Sequence, residues 1–209
     1  SAASDVYKRQ VGSPSGKLSD TFAKKLEDYP SSETFHESVK YVDYKEDIYV
    51  GYRYFETIPG ADKAVNYPFG YGLSYTTFER ALVSAEEKQG VIRVRVNVTN
   101  TGKYPGKEVM QLYAQAPQGV LGKAKRVLAA FEKTRLLAQG ETQLLTLEAP
   151  VAQLASYDDL GKIQKSAYVL EKGKYQFYLG TSVRETEQVF CFTMPEAVSY
   201  THLRAHETS

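Results

Sequence analysis

At 209 residues the chain has room for one or two domains, and 42% hydrophobic content is enough to bury a core. A net charge of +1 gives no electrostatic case for nucleic acid or an anionic membrane as partner, and no apolar run approaches transmembrane length. One cysteine, Cys191, rules out an internal disulfide and leaves the compartment undecided.

The first ten residues, Ser1 to Gln10, fit no pattern in the rest of the chain, and neither do Ala197 to Ser209. Both ends read as translated sequencing adapter and are set aside from fold reasoning as non-native tails. His202 and His206 fall in the second tail at helical spacing, without the further ligands a metal site needs.

In Val11 to Pro30, Ser13-Pro14-Ser15-Gly16 is a turn, and Ser19 or Asp20 can cap a short helical turn carrying Phe22 and Leu26 before Pro30 ends it. This piece cannot bury its apolar face alone. Ser31 to Val65 is a long connector in which Asp47 to Phe55 alternates loosely and predicts a strand. Arg53 sits there among tyrosines, where a guanidinium stacks on a ring or pairs with a carboxylate. His36 lies in a polar loop without a partner that the sequence identifies.

Asn66 to Phe78 holds five aromatics, one proline and two glycines in thirteen residues. It reads as a stiff, packed loop clamping two architectures together. Beyond it the period becomes two. Val91 to Thr99 places Ile92, Val94, Val96 and Val98 on one face, with Arg93, Arg95 and Asn97 on the other. Glu108 to Ala114, Val127 to Thr134 and Gln143 to Leu147 are further strands, with a Gly-containing loop over Pro117 to Lys125 and a turn at Ala138 to Glu141. Leu154 to Asp159 is a short strand or turn, Tyr168 to Leu170 and Lys174 to Leu179 form a hairpin about Glu171-Lys172-Gly173, and Val189 to Thr193 closes the set. Phe190 and Phe192 put Cys191 on that last strand, as a small hydrophobe with no activating neighbour. About seven short strands separated by turns indicate a β-sandwich.

Tyr49-Val-Gly-Tyr-Arg-Tyr-Phe55 followed by Tyr67-Pro-Phe-Gly-Tyr-Gly-Leu-Ser-Tyr-Thr-Thr-Phe78 resembles the C-terminal region of family 3 glycoside hydrolases, where it leads into a fibronectin type III-like domain. Pro14 to Leu18 with Thr21-Phe22, Val98 to Gly102, Gly106 to Val109, Gln111 to Tyr113, Phe131 to Lys133, Ser156 to Asp158 and Gly173 to Tyr175 match in the same order. Ala130, where the family has glycine, and the loose Lys125-Arg-Val-Leu128 depart from it. The resemblance implies a mainly β fold: a fibronectin type III-like sandwich over 78–196, a connector over 31–77, and the end of an α/β sandwich domain over 11–30, with tails at 1–10 and 197–209.

Retaining hydrolysis needs two carboxyl groups about 5–5.5 Å apart. The family implies an aspartate nucleophile on a barrel and a glutamate acid/base on the α/β domain, and neither is represented here. The pairs Glu46-Asp47, Glu86-Glu87 and Asp158-Asp159 read as solvated loop residues that do not converge on one atom. The site assignment is therefore empty: no catalytic, cofactor-binding or metal residue, and no cofactor.

The resemblance implies an accessory part of an enzyme that cleaves terminal β-linked sugars from oligosaccharides or glycosides. Its partners would be the missing catalytic domains of the same chain and the parent's substrate. The loop Gln115 to Lys125 is the candidate rim facing that site. A free-standing carbohydrate- or protein-binding sandwich is the alternative, and an oligomerising spacer a third reading. Lys165 to Leu170 and Gly180 to Arg184 look closer to permuted family members, in which a barrel follows the sandwich, an order that favours a cytoplasmic location without fixing it.

Overall fold

The computed structural model describes residues 12–34, 37–41 and 46–200. His36, His202, His206 and the tail Ser1 to Gln10 lie outside the described residues. Two antiparallel sheets form a sandwich. One contains β3 (Phe78–Lys88), β4 (Val91–Asn100) and β7 (Thr142–Pro150), in the order β3-β4-β7. The other contains β5 (Val109–Gln115), β6 (Val127–Lys133), β10 (Gly173–Gly180) and β11 (Thr186–Met194), in the order β11-β10-β5-β6. This three-plus-four arrangement, with the chain crossing between sheets, is the β-sandwich expected from the strand pattern.

The core forms where the period-two faces meet. Ile92, Val94, Val96 and Val98 of β4 are fully buried, as their alternation predicts. They face Met110, Leu112 and Ala114 of β5 and Tyr175, Phe177 and Leu179 of β10. Tyr175 stacks on Phe192 with ring centroids 5.1 Å apart. Phe190 and Phe192 of β11 pack on this core, which turns Cys191 between them out to solvent.

A small third sheet, β8 (Ser156–Asp158), β9 (Ala167–Leu170) and β12 (Val198–Tyr200), lies in the order β12-β9-β8. The hairpin expected about Glu171-Lys172-Gly173 does not form: β9 pairs with β8 and β12, whereas β10 pairs with β5 and β11. Gly173 at φ +139 redirects the chain between the two sheets. β12 lies inside the segment expected to be a tail.

Before the sandwich, β1 (Phe22–Ala23) pairs with β2 (Val65–Tyr67), so the first described residues fold back onto the connector. Phe22 is a strand residue, and the short 3₁₀ turn begins at Leu26. The strand expected over Asp47 to Phe55 is also absent. Gly51 at φ +57 breaks the alternation, and α1 (Tyr52–Phe55) is a single helical turn. That turn sends Phe55 into the interior at 1% exposure, against the edge of Tyr29.

Candidate functional site

Strand β5 is buried on both faces. Met110, Leu112 and Ala114 serve the sandwich core, while Gln111 and Tyr113 project from the opposite face of the sheet, where the connector covers them. Tyr52 of α1 packs on Phe69 with centroids 4.4 Å apart, and both rings meet Tyr113 edge-on. Tyr52 Oη accepts a hydrogen bond from the Leu128 amide at 2.9 Å. Burial, then the neighbouring Tyr52, push the Tyr113 hydroxyl well above the ordinary tyrosine range, so it stays a neutral donor, and it donates to Gln111 Oε1.

Gln111 Nε2 in turn donates to the carbonyls of Gly70 and Thr181. One side chain thus ties the aromatic loop, β5 and the β10–β11 turn together. Gly70 has φ +80, and a Cβ there would collide with Gln111 Oε1. The amides of Leu18, Gly70 and Val183 complete the seam by donating to the carbonyls of Tyr71, Leu18 and Phe69. Within the aromatic-Gly stretch Phe69, Gly70 and Tyr71 make these seam contacts, whereas Tyr67, Leu73 and Tyr75 are exposed.

Two cavities flank this seam. One, of about 590 Å³, lies between Phe55–Pro59 and Arg184. Two of its cations are already committed. Arg184 Nε donates to Glu56 at 2.8 Å and Nη2 to the Asp62 carbonyl, while Arg126 lies 3.9 Å over the Tyr178 ring and donates to Val183 O. The other, of about 450 Å³, is bounded by Asp47 and Arg53 of the connector, Leu121 to Ala124 of the rim loop, and Leu154 to Tyr157 with Asp159.

The rim loop is anchored from below. Glu171 is 5% exposed, and its Oε1 accepts from the Val120 amide at 2.8 Å. Lys123 Nζ stands 3.3 Å from Glu171 Oε2, both side chains being 6% exposed. Burial holds the Lys123 pKa below the usual lysine range, against the upward pull of Glu171. Gly119 packs so closely that a Cβ there would strike the Glu171 carboxylate.

The carboxylate pairs are placed differently from expectation in two cases. Glu86 and Glu87 are exposed residues of β3, not of a loop, and Glu87 Oε1 accepts from the Gly90 amide across the β3–β4 turn. Asp158 is buried at 1% exposure. Its carboxylate accepts from the amides of Gly161, Lys162, Ile163 and Gln164 at 2.7–3.0 Å. Burial raises its pKa and the four amides outweigh it, leaving the carboxyl below its ordinary range. Asp47 and Asp159 are exposed at the mouth of the smaller cavity. Arg53 is half-buried there, and among the described residues its guanidinium forms neither the expected ring stack nor an ion pair. The sequence marks Gln111 only through the Gln111 to Tyr113 match and as a polar residue inside an apolar strand, and neither signal points to its contact with Gly70.

Residues 108–183 match the fibronectin type III-like domain family. The chain is 61% identical over 188 residues to β-glucosidase A of Butyrivibrio fibrisolvens, covering 83% of this chain and 23% of that protein. A β-glucosidase of Ruminococcus albus is 49% identical over 184 residues, covering 87% of this chain and 19% of that one. The solved β-glucosidase of Paenibacillus barengoltzii superposes with a TM-score of 0.89 at 48% identity, over 98% of this chain and 23% of that structure. β-Glucosidase 3B of Thermotoga neapolitana gives 0.82 at 40% identity, over 95% and 27%. The chain thus spans about a fifth to a quarter of the length of the relatives it matches.

Proposed function

Because the chain belongs to the family 3 glycoside hydrolases as their accessory, fibronectin type III-like part, we propose that it braces catalytic domains carried elsewhere in the same polypeptide. The parent enzyme hydrolyses terminal β-linked sugars from oligosaccharides or glycosides. The single observation that carries this reading is 61% identity to a β-glucosidase of which the chain spans only 23%. The connector supports it physically. Phe22, Leu26, Leu73 and Tyr75 stand 52–70% exposed, apolar side chains suited to cover by a neighbouring domain.

On this reading residues 11–30 are the end of an α/β domain, 31–77 the connector and 78–196 the accessory domain. The sheets running from Phe78 to Met194 support the last division. Residues 1–10 and 197–209 are non-native, although the pairing of Val198–Tyr200 with β9 weighs against excluding the start of the second segment.

The purified chain assayed on an aryl β-glucoside tests the reading. It gives no turnover above a mock purification, and activity that co-purifies with the chain would overturn the accessory role. Reading the source DNA across both ends decides domain order. A barrel encoded after Pro195 gives the permuted arrangement, a barrel before Val11 the ordinary one, and close stop codons on both sides defeat the fragment reading.

A further inference from the structure

We propose that the 450 Å³ cavity between the connector and the rim loop is a binding site for a neutral saccharide of about two rings. Its volume lies within the range of small-ligand sites. The chemistry of its wall selects the ligand class. Arg53 brings a guanidinium with no partner among the described residues, a fork of donors held half-buried at the cavity. Asp47 and Asp159 bring acceptor-only carboxylates. Lys123, whose charge is met by Glu171, leaves the cavity close to charge balance.

An anionic ligand would meet two carboxylates and a cationic one the guanidinium. A ligand rich in hydroxyls, each both donor and acceptor, uses all three groups. Ala116, Leu121 and Leu154 provide apolar wall, and Tyr157 stands 52% exposed with its ring braced at 5.1 Å by Tyr168. The C–H face of a sugar ring packs on such a surface while its hydroxyl edge meets the charges. The rim loop that forms one side is fixed from beneath by Glu171, so the wall is preorganised.

Titration of the 209-residue chain with cellobiose and with xylobiose, followed by amide chemical shifts, tests the site. Saturable shifts confined to 47–53, 121–124 and 154–159 are expected, with roughly millimolar affinity. Arg53→Gln and Asp159→Asn each weaken binding about tenfold or more while leaving the unfolding midpoint unchanged. Flat curves with both sugars, equal affinity in both variants, or saturable binding of an acidic peptide in place of sugar would each overturn the proposal. The titration needs no catalytic domain, so its failure leaves the accessory role standing, whereas turnover by the isolated chain would remove that role and leave this site untouched.

Discussion

Gln111 reaches out from the sandwich and donates its side-chain amide to the main-chain carbonyl of Gly70, and at 3% exposure water cannot replace it. The contact joins two segments that sequence patterning reads as separate architectures, and it makes the clamp sensitive to small changes on either side.

Gly70→Ala is expected to destabilise the chain by about 2–4 kcal/mol, combining the left-handed backbone penalty with displacement of the buried amide. Gln111→Leu removes the partner of two carbonyls and of the Tyr113 hydroxyl and is expected to cost about 2–3 kcal/mol. Urea unfolding monitored by tyrosine fluorescence measures both. A loss under about 0.5 kcal/mol in both variants would show that the seam is energetically idle.

Tyr52→Phe keeps the ring on Phe69 and loses only the hydroxyl that accepts from Leu128, for about 1 kcal/mol. Phe69→Ala removes the ring itself and is expected to cost about 2–4 kcal/mol. Limited proteolysis separates the two: Phe69→Ala opens cleavage between 56 and 77, whereas Tyr52→Phe does not.

Replacing Lys123 by Met leaves Glu171 buried without its counter-charge, which is expected to cost about 3–5 kcal/mol at neutral pH. The pH dependence has a definite sign. The folded-state pKa of Lys123 lies below its unfolded value of 10.5, so between the two the unfolded chain binds more protons. Below that interval the folded state bears the full cost of the buried charge, and the cost is relieved as pH rises through it. Wild-type stability, relative to Lys123→Met, should therefore increase from neutral pH toward 10.5, as followed by thermal unfolding across that range.

Asp158 gives a profile of the same sign in the acid range. Its depressed carboxyl contributes stability above its unfolded pKa of 3.8 that is lost as pH falls through the lower, folded value. Asp158→Ala is expected to lower the thermal midpoint and to accelerate hydrogen exchange at the amides of Gly161, Lys162, Ile163 and Gln164. Unchanged exchange there would remove the carboxylate's role in organising the turn.

The sandwich was legible because its signal is local. Alternation in β4 identifies four buried valine and isoleucine positions, and a strand buried on one face has little alternative register. The connector was less so. Tyr49 to Phe55 carries the same residue types as a strand, and the left-handed Gly51 that converts it to a helical turn is one residue in a run of aromatics. Asp158 beside Asp159 looks solvated because the four amides that bury it come from the following turn, which periodicity does not describe. The 450 Å³ cavity was not legible at all. It is assembled from 47–53, 116–127 and 153–159, stretches that share no pattern.

Tyr113 is wholly covered, yet the two rings that meet it edge-on precede the first strand of the sandwich. Anyone grafting this module onto another enzyme by cutting at Phe78 would therefore lay bare an aromatic ring and an amide that no longer has its carbonyl, on the broad face of a four-stranded sheet. The sandwich must travel with Tyr52 to Thr77, and shuffling within this family should fail with breakpoints at the sheet's own start.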